Sequence, residues 1–219
     1  MILLIDTSQE TAFTALASEG KILVFEENKT AKEHASWLHL AIARILKKAG
    51  ATIRELKAVA VVAGPGSYTG LRVGMAAAKG LCFALKIPLI TQNTLRVMAE
   101  AMRPAAEKKG AWICPLIDAR REEVFTALFD NNMEEIMPAQ AMILDKSAFE
   151  GPLSKNQIVF FGSGAEKTEK MIQSSSALFE PQPDIKQALA HLSQKDFDSG
   201  NWADPVYADP VYLKEFFSY

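Results

Sequence analysis

The sequence predicts an α/β protein built around a mixed five-stranded sheet. Three observations predict it. Residues 1–5 (MILLI) and 58–63 (AVAVVA) are short, continuously apolar runs, the pattern of strands covered on both faces. Residues 11–18 (TAFTALAS) and 21–27 (KILVFEE) are separated by Glu19-Gly20, the spacing of a hairpin with a two-residue turn. Beyond residue 30, helix-period segments alternate with apolar strands, which calls for right-handed crossovers and parallel pairing.

The first three strands form one antiparallel meander. A helix follows over about residues 31–49. Its core stripe is Leu38, Ile42, Ile45, Leu46 and Ala49, and Gly50 is its C-terminal stop. The strand AVAVVA leads through AGPGSYTGLRVG (63–74) into a second helix over 70–85, and IPLIT (87–91) is the next strand. This order, β-β-β-α-β-α-β, is that of the ribonuclease-H-like fold, the unit duplicated in actin-like ATPases, sugar kinases and Hsp70 chaperones.

The second half begins similarly. A helix over 93–108 contains Pro104. AWICPLID is a strand ending in Asp118, and EEVFTALFD, EIMPAQAMIL and QIVFFG (157–162) are further strands. A glycine turn and a helix from near Glu166 come next, then a helix over 184–195. The expectation is a two-lobed actin-like ATPase fold. Its first lobe, 1–106, is a complete mixed five-stranded sheet. Its second, 107–219, is reduced, with fewer or shorter helices, and carries the C-terminal tail. The two are expected to meet near residues 100–111. The tail holds two D-P-V-Y units, read as extended segments imposed by Pro205 and Pro210.

Composition narrows the function. Of 219 residues, 49% are hydrophobic and 23% charged, enough to bury a sizeable core. The net charge is −2, whereas a chain gripping a nucleic-acid backbone alone carries a basic excess. Any nucleic-acid role is therefore expected to be indirect. Cys82 and Cys114 lie in apolar runs and form no CxxC pair, so they read as reduced, buried residues. MILLIDTS lacks the basic start of a signal peptide, and no apolar run approaches the roughly 20 residues that cross a bilayer. A cytoplasmic protein without membrane partners is expected.

Four glycines and a proline fall within residues 63–74. Gly64, Gly66, Ser67 and Thr69 could offer donors to an anion at a helix start, or Ser67 or Thr69 could simply cap the helix. Alternatively, Gly70, Gly74 and Ala78, spaced by four, flatten one helix face for close contact with the lobe's own sheet or with a partner helix. The preceding helix carries a second patch of Trp37, Leu40, Ala41 and Arg44. It is read as a partner anchor, with packing of Trp37 on its own lobe as the alternative.

The chain resembles the TsaB (YeaZ) family, bacterial proteins of tRNA threonylcarbamoyladenosine synthesis. The resemblance rests on ILLIDTS, EHAS (33–36), GPGSYTGLRVGMAAAKGL (64–81), DARREEV (118–124), FGSGA (161–165) and PVYLK (210–214), in order along nearly the whole chain. It implies two actin-like lobes and a catalytic partner, TsaD, that transfers a threonylcarbamoyl group to N6 of the adenosine beside the anticodon. It also implies that a TsaE-like ATPase joins the assembly, with tRNA, on the charge argument above, met only indirectly. The first two helices are implied to form the surface that meets TsaD, or a second copy when TsaD is absent. Trp37, Leu40, Arg44, Gly70, Gly74 and Ala78 are the residues assigned to that surface.

Catalytic chemistry has little support in the residues. His34 and His39 are five apart and project about 140° from each other, unsuited to one metal, and His191 stands alone. No metal site is expected. Asp6 and Asp118 end the first strand of each lobe, where an actin-like ATPase places carboxylates. Asp118 is followed by Ala119-Arg120-Arg121 rather than by a glycine-rich phosphate loop. Asp6, Gly64, Gly66, Ser67, Asp118, Gly162 and Gly164 remain a candidate nucleotide or anion site. No intrinsic cofactor is expected, with ATP or ADP reserved for the complex. Ser67 in GSYTG is not a G-x-S-x-G elbow. The expected function is a non-catalytic scaffold subunit. The alternatives are an independent actin-like ATPase or kinase, and a peptidase.

Overall fold

The computed structural model of the chain describes residues 1–30 and 33–214, so residues 31 and 32 of the expected first helix and 215–219 of the tail lie outside the described residues. The chain divides into two units. Among the described residues, 1–97 with 186–211 form one, and 98–185 with 212–214 the other.

In the first unit, β1 (Ile2–Asp6), β2 (Ala12–Ser18) and β3 (Lys21–Asn28) form the expected meander. Glu19 and Gly20 both take positive φ (51° and 71°), as a tight two-residue turn demands. Helix α1 (His34–Lys48) leads to a 3₁₀ turn at Ile53–Glu55 and to β4 (Ala58–Gly64). Helix α2 (Tyr68–Leu85) leads to β5 (Leu89–Asn93). The sheet order is β3-β2-β1-β4-β5, antiparallel within the meander and parallel from β1 to β5. Every residue of β1 and β4 is buried. Leu3, Ile5, Val59 and Val61 pack beneath α1 and α2 with Leu38, Ile42, Ile45, Met75 and Ala78. Ala41 takes the place in the buried stripe expected of Ala49, which is exposed. Gly50 (φ 64°) ends α1, and Ala51 N–H returns to the Leu46 carbonyl.

Helix α3 (Thr94–Glu107), with Pro104 inside it, contains the boundary between the units. The second sheet has β6 (Trp112–Asp118), β7 (Glu123–Phe129), β8 (Glu135–Ile143), β9 (Ile158–Phe161) and β10 (Ala177–Phe179). Its order, β10-β9-β6-β7-β8, repeats that of the first sheet. The expected reduction is therefore confined to the helices. The crossover helices α4 (Glu150–Leu153) and α5 (Ala165–Met171) have four and seven residues where the first unit has 15 and 18. The second unit has the full β-β-β-α-β-α-β order, with a fifth strand beyond the four read from the sequence. Strand β10 was missed because three half-buried residues carry too short a pattern.

The expected division at 106/107 differs from the observed one for a physical reason. Helix α6 (Lys186–Ser199) returns to the first unit, burying Ala188, Leu189, Ala190 and Leu192 there. Gln92 donates to Asp196 (2.6 Å), Gln187 bonds the Gly20 carbonyl, and Ala203 N–H reaches the Leu89 carbonyl.

Both cysteines are free and buried, and desolvation pushes their thiols up, to about 11 for Cys82 and about 12 for Cys114. Thiolate is the reactive form. Iodoacetamide at about pH 8 should therefore leave the folded chain unlabelled, and unfolding should expose both sites. Intact mass before and after denaturant checks this.

Candidate partner-binding seam and the strand-end carboxylates

The glycine segment is built against its own lobe. Gly70 and Gly74 lie on the buried face of α2 with Leu71, Met75, Ala78 and Cys82. A Cβ at Gly70 would fall on the Thr7 carbonyl oxygen, and one at Gly66 on the Ser8 carbonyl oxygen. A Cβ at Gly74 would strike Thr7 Oγ1 and stand 3.4 Å from Ile5 and Val61 side chains. Thr7 Oγ1 donates to the Gly70 carbonyl (2.7 Å), and Ser67 N–H to the Ser8 carbonyl (2.7 Å). Ser67 Oγ caps the helix by accepting from Gly70 N–H (3.3 Å). Gly64 (φ 122°) lies under the tail, where a Cβ would approach the Val211 carbonyl. The glycines thus let α2 settle on the β1–β2 turn. Gly70, Gly74 and Ala78 do not present a face to a partner, which corrects their assignment to that surface.

The Trp37 patch also divides. Trp37 packs against the first core and donates its indole N–H to Glu26 on β3 (3.2 Å). Arg44 Nε donates to the same carboxylate (3.0 Å), and Lys48 lies 3.8 Å from it. The Arg44 hydrogen bonds hold the Glu26 carboxyl below the usual range, helped by Trp37 and Lys48. Ala41 is wholly buried, whereas Leu40 is 61% exposed. Trp37 and Arg44 are therefore tied to their own lobe along the flank of α1 nearest β3.

The opposite flank of α1 meets α2 in a shallow groove of about 400 Å³, lined by Ala35, His39, Val73, Ala76, Ala77, Gly80 and Leu81. Its lining is apolar apart from His39. The seam continues along α2 to Phe83, 82% exposed, one turn beyond Gly80. The same helical wheel that groups Gly70, Gly74 and Ala78 places Val73, Ala76, Gly80 and Phe83 on the far side, a stripe without charge. This was the signal in the sequence that could have located the seam.

The strand-end carboxylates are each engaged within their own units. Asp6 is 1% exposed, and its Oδ1 accepts from Ser8 N–H (2.8 Å) and Ser8 Oγ (2.6 Å). Burial raises its pKa, against the opposing Ser8 hydrogen bonds and the weaker field of His34. A carboxyl whose folded pKa exceeds the unfolded value of 3.8 stabilises the fold below that value, and the contribution is lost as pH rises through the folded pKa. Asp6→Asn, which keeps the Oδ1 acceptor without the charge, should therefore melt higher than wild type at neutral pH. The advantage should shrink as pH falls toward 3.8, which melts at a series of pH values would reveal.

Asp118 is half-exposed and paired with Lys167 (2.6 Å). Partial burial opposes its ionisation, but Lys167 and the Arg120 N–H (2.8 Å) outweigh it and hold the carboxyl below its ordinary range. Asp118 N–H donates to Ser163 Oγ (3.0 Å). Gly162 (φ 105°) and Gly164 lie against Leu116, where a side chain would clash with the strand, so the 162–164 turn serves strand packing. Arg120 and Arg121 follow with φ of 68° and 50°, a left-handed pair that costs about 1–2 kcal/mol per non-glycine residue.

The histidines diverge. His34 is buried and contacts Asn28 Nδ2 (3.3 Å) and the Gln9 carbonyl (3.3 Å), while His39 lines the groove. Among the described residues, no three His, Cys, Asp or Glu side chains converge at metal-binding distance.

Two ribonuclease-H-like sheets of the same strand order define a two-lobed protein of the actin-like ATPase class. An inorganic polyphosphate/ATP-glucomannokinase from Arthrobacter sp. strain KM shares that fold, with a TM-score of 0.54 over 88% of this chain and 97% of the kinase at 12% identity. Within the class, the chain belongs to the TsaB family, also called YeaZ. It is 34% identical to the tRNA threonylcarbamoyladenosine biosynthesis protein TsaB of Escherichia coli over 97% of this chain and 94% of that protein. It is 32% identical to the Bacillus subtilis TsaB over 65% of this chain and 62% of that protein. The structure of YeaZ from Pseudomonas aeruginosa superposes with a TM-score of 0.80 at 26% identity, over 97% of this chain and 99% of YeaZ. The family profile described as TsaD, tRNA N6-adenosine threonylcarbamoyltransferase, matches residues 26–197.

Proposed function

We propose that this chain is a scaffold subunit, without catalytic chemistry of its own, of a complex that threonylcarbamoylates N6 of the adenosine next to the tRNA anticodon. A TsaD-like subunit supplies the chemistry, and a TsaE-like ATPase joins the assembly in the cytoplasm. The relatives' names supply the pathway, since the E. coli and B. subtilis proteins are named for threonylcarbamoyladenosine biosynthesis. The observation that carries the subunit role is the apolar seam between α1 and α2. An isolated lobe gains nothing by leaving Phe83 and Ala76 uncovered, and small residues at Ala76 and Gly80 let a partner helix approach closely. The same seam would pair two copies when the partner is absent.

Nucleotide is assigned to the assembled complex. Asp6 spends its carboxylate on Ser8, and Asp118 on Lys167 and the Arg120 turn. This favours a scaffold over an independent ATPase or kinase. A peptidase has less support still. Ser67 Oγ is a helix cap and His34 is committed to Asn28 and Gln9. Isothermal titration of the purified chain with a TsaD-like protein tests the proposal. Saturable binding with a negative heat-capacity change, the mark of apolar burial, is expected. No binding at micromolar concentrations would reject it.

A further inference from the structure

The Arg120–Arg121 hairpin tip takes no part in the seam, yet it is held with unusual care. Lys167 spends its three hydrogens there, on Asp118 Oδ1 (2.6 Å), the Arg121 carbonyl (3.0 Å) and the Glu123 carbonyl. Asp118 Oδ1 also accepts from Arg120 N–H, and Ser163 Oγ accepts from Asp118 N–H. On the far side, Leu144 N–H donates to the Glu122 carbonyl (2.7 Å). The clamp holds two consecutive arginines in a left-handed conformation that asparagine and glycine fill at less strain. Both arginines are exposed, and among the described residues neither guanidinium has a hydrogen-bonding partner. Of the nearby acids, Asp118 is paired with Lys167 and also feels the charge of Arg120, Glu123 is paired with Lys214 (2.6 Å), and Glu122 stands exposed beside Arg121. The strain is retained in a backbone whose two arginine side chains face solvent.

We propose that Arg120 and Arg121 form a point contact for the phosphodiester backbone of the RNA substrate. The assignment rests on the function proposed above, which makes RNA the anion at hand. Guanidinium forks match phosphate oxygens, and backbone strain at an exposed polar tip is the kind retained for binding. A net charge of −2 provides no broad basic face, so the contact is local and adds to binding by the partner subunit.

The test uses the complex of this chain with the TsaD-like subunit and an unmodified tRNA transcript as the probe. Affinity is measured over a range of salt concentrations for wild type and for Arg120→Asn/Arg121→Gly. That pair suits the left-handed turn, so the variant should melt no lower than wild type while losing both guanidiniums. Affinity should fall on the order of tenfold at moderate salt, and the slope of log affinity against log salt should flatten by about two. Arg120→Lys/Arg121→Lys should recover most of the slope. An unchanged affinity and slope in the folded Asn/Gly variant overturns the proposal. Failure of wild-type chain and partner to form a complex instead overturns the scaffold reading, and this contact with it.

Discussion

Gly70→Ala should cost the fold about 3 kcal/mol, the upper end of what overpacking costs. The added methyl would land on the Thr7 carbonyl oxygen, and neither side can give way easily. Thr7 is fully buried in the β1–β2 turn, and α2 is fixed to that turn by the Thr7–Gly70 and Ser67–Ser8 hydrogen bonds. For a chain of this size the loss corresponds to a Tm drop of roughly 6–12 °C. Gly80→Ala is the matched control. A Cβ at Gly80 meets nothing within 4 Å, so alanine there should stabilise the helix by about 1 kcal/mol. Opposite signs from two glycines of one helix, read by thermal melts, would establish that one face serves the lobe and the other faces outward.

Ala76→Arg should cut affinity for the TsaD-like subunit by about 100-fold or more while leaving the isolated fold almost unchanged. Ala76 is exposed in the groove, so arginine has room in the free chain, and surface substitutions of that kind stay within about 0.5 kcal/mol. Once the seam is covered, the charge is buried among Val73, Ala77 and Leu81 without a partner, a penalty of about 3 kcal/mol or more. Trp37→Ala should do the reverse. Its indole supports the first core and Glu26, so stability should fall further than affinity. Titration calorimetry with parallel melts separates the two.

Much of the fold was legible because burial leaves a local record. The continuous apolar runs at β1 and β4 are buried at every position, and the Glu19-Gly20 turn has the backbone its residues suggest. What stayed hidden depended on distant partners. The return of α6 to the first sheet rests on contacts such as Gln92–Asp196 and Gln187–Gly20, which no local pattern encodes. The spacing of Gly70, Gly74 and Ala78 announced a close approach but could not say to what, and the answer is the turn after β1. Trp37 and Arg44 looked like an anchor because their partner Glu26 lies on the preceding strand. Lys167 left no sequence signal, since a lysine in a short helix reads as solvated surface.

The central claim is that this chain is required for the modification without performing its chemistry. Its most direct measurement is tRNA modification by the TsaD-like subunit, supplied with the threonylcarbamoyl donor, with and without this chain. Multiple-turnover product should appear only when both proteins are present. It should persist in Asp6→Asn, since the Asp6 carboxylate is taken up by Ser8, and the chain alone should release no phosphate from ATP. Equal turnover by the TsaD-like subunit alone would contradict the claim, as would ATP hydrolysis by this chain that is lost in Asp118→Ala.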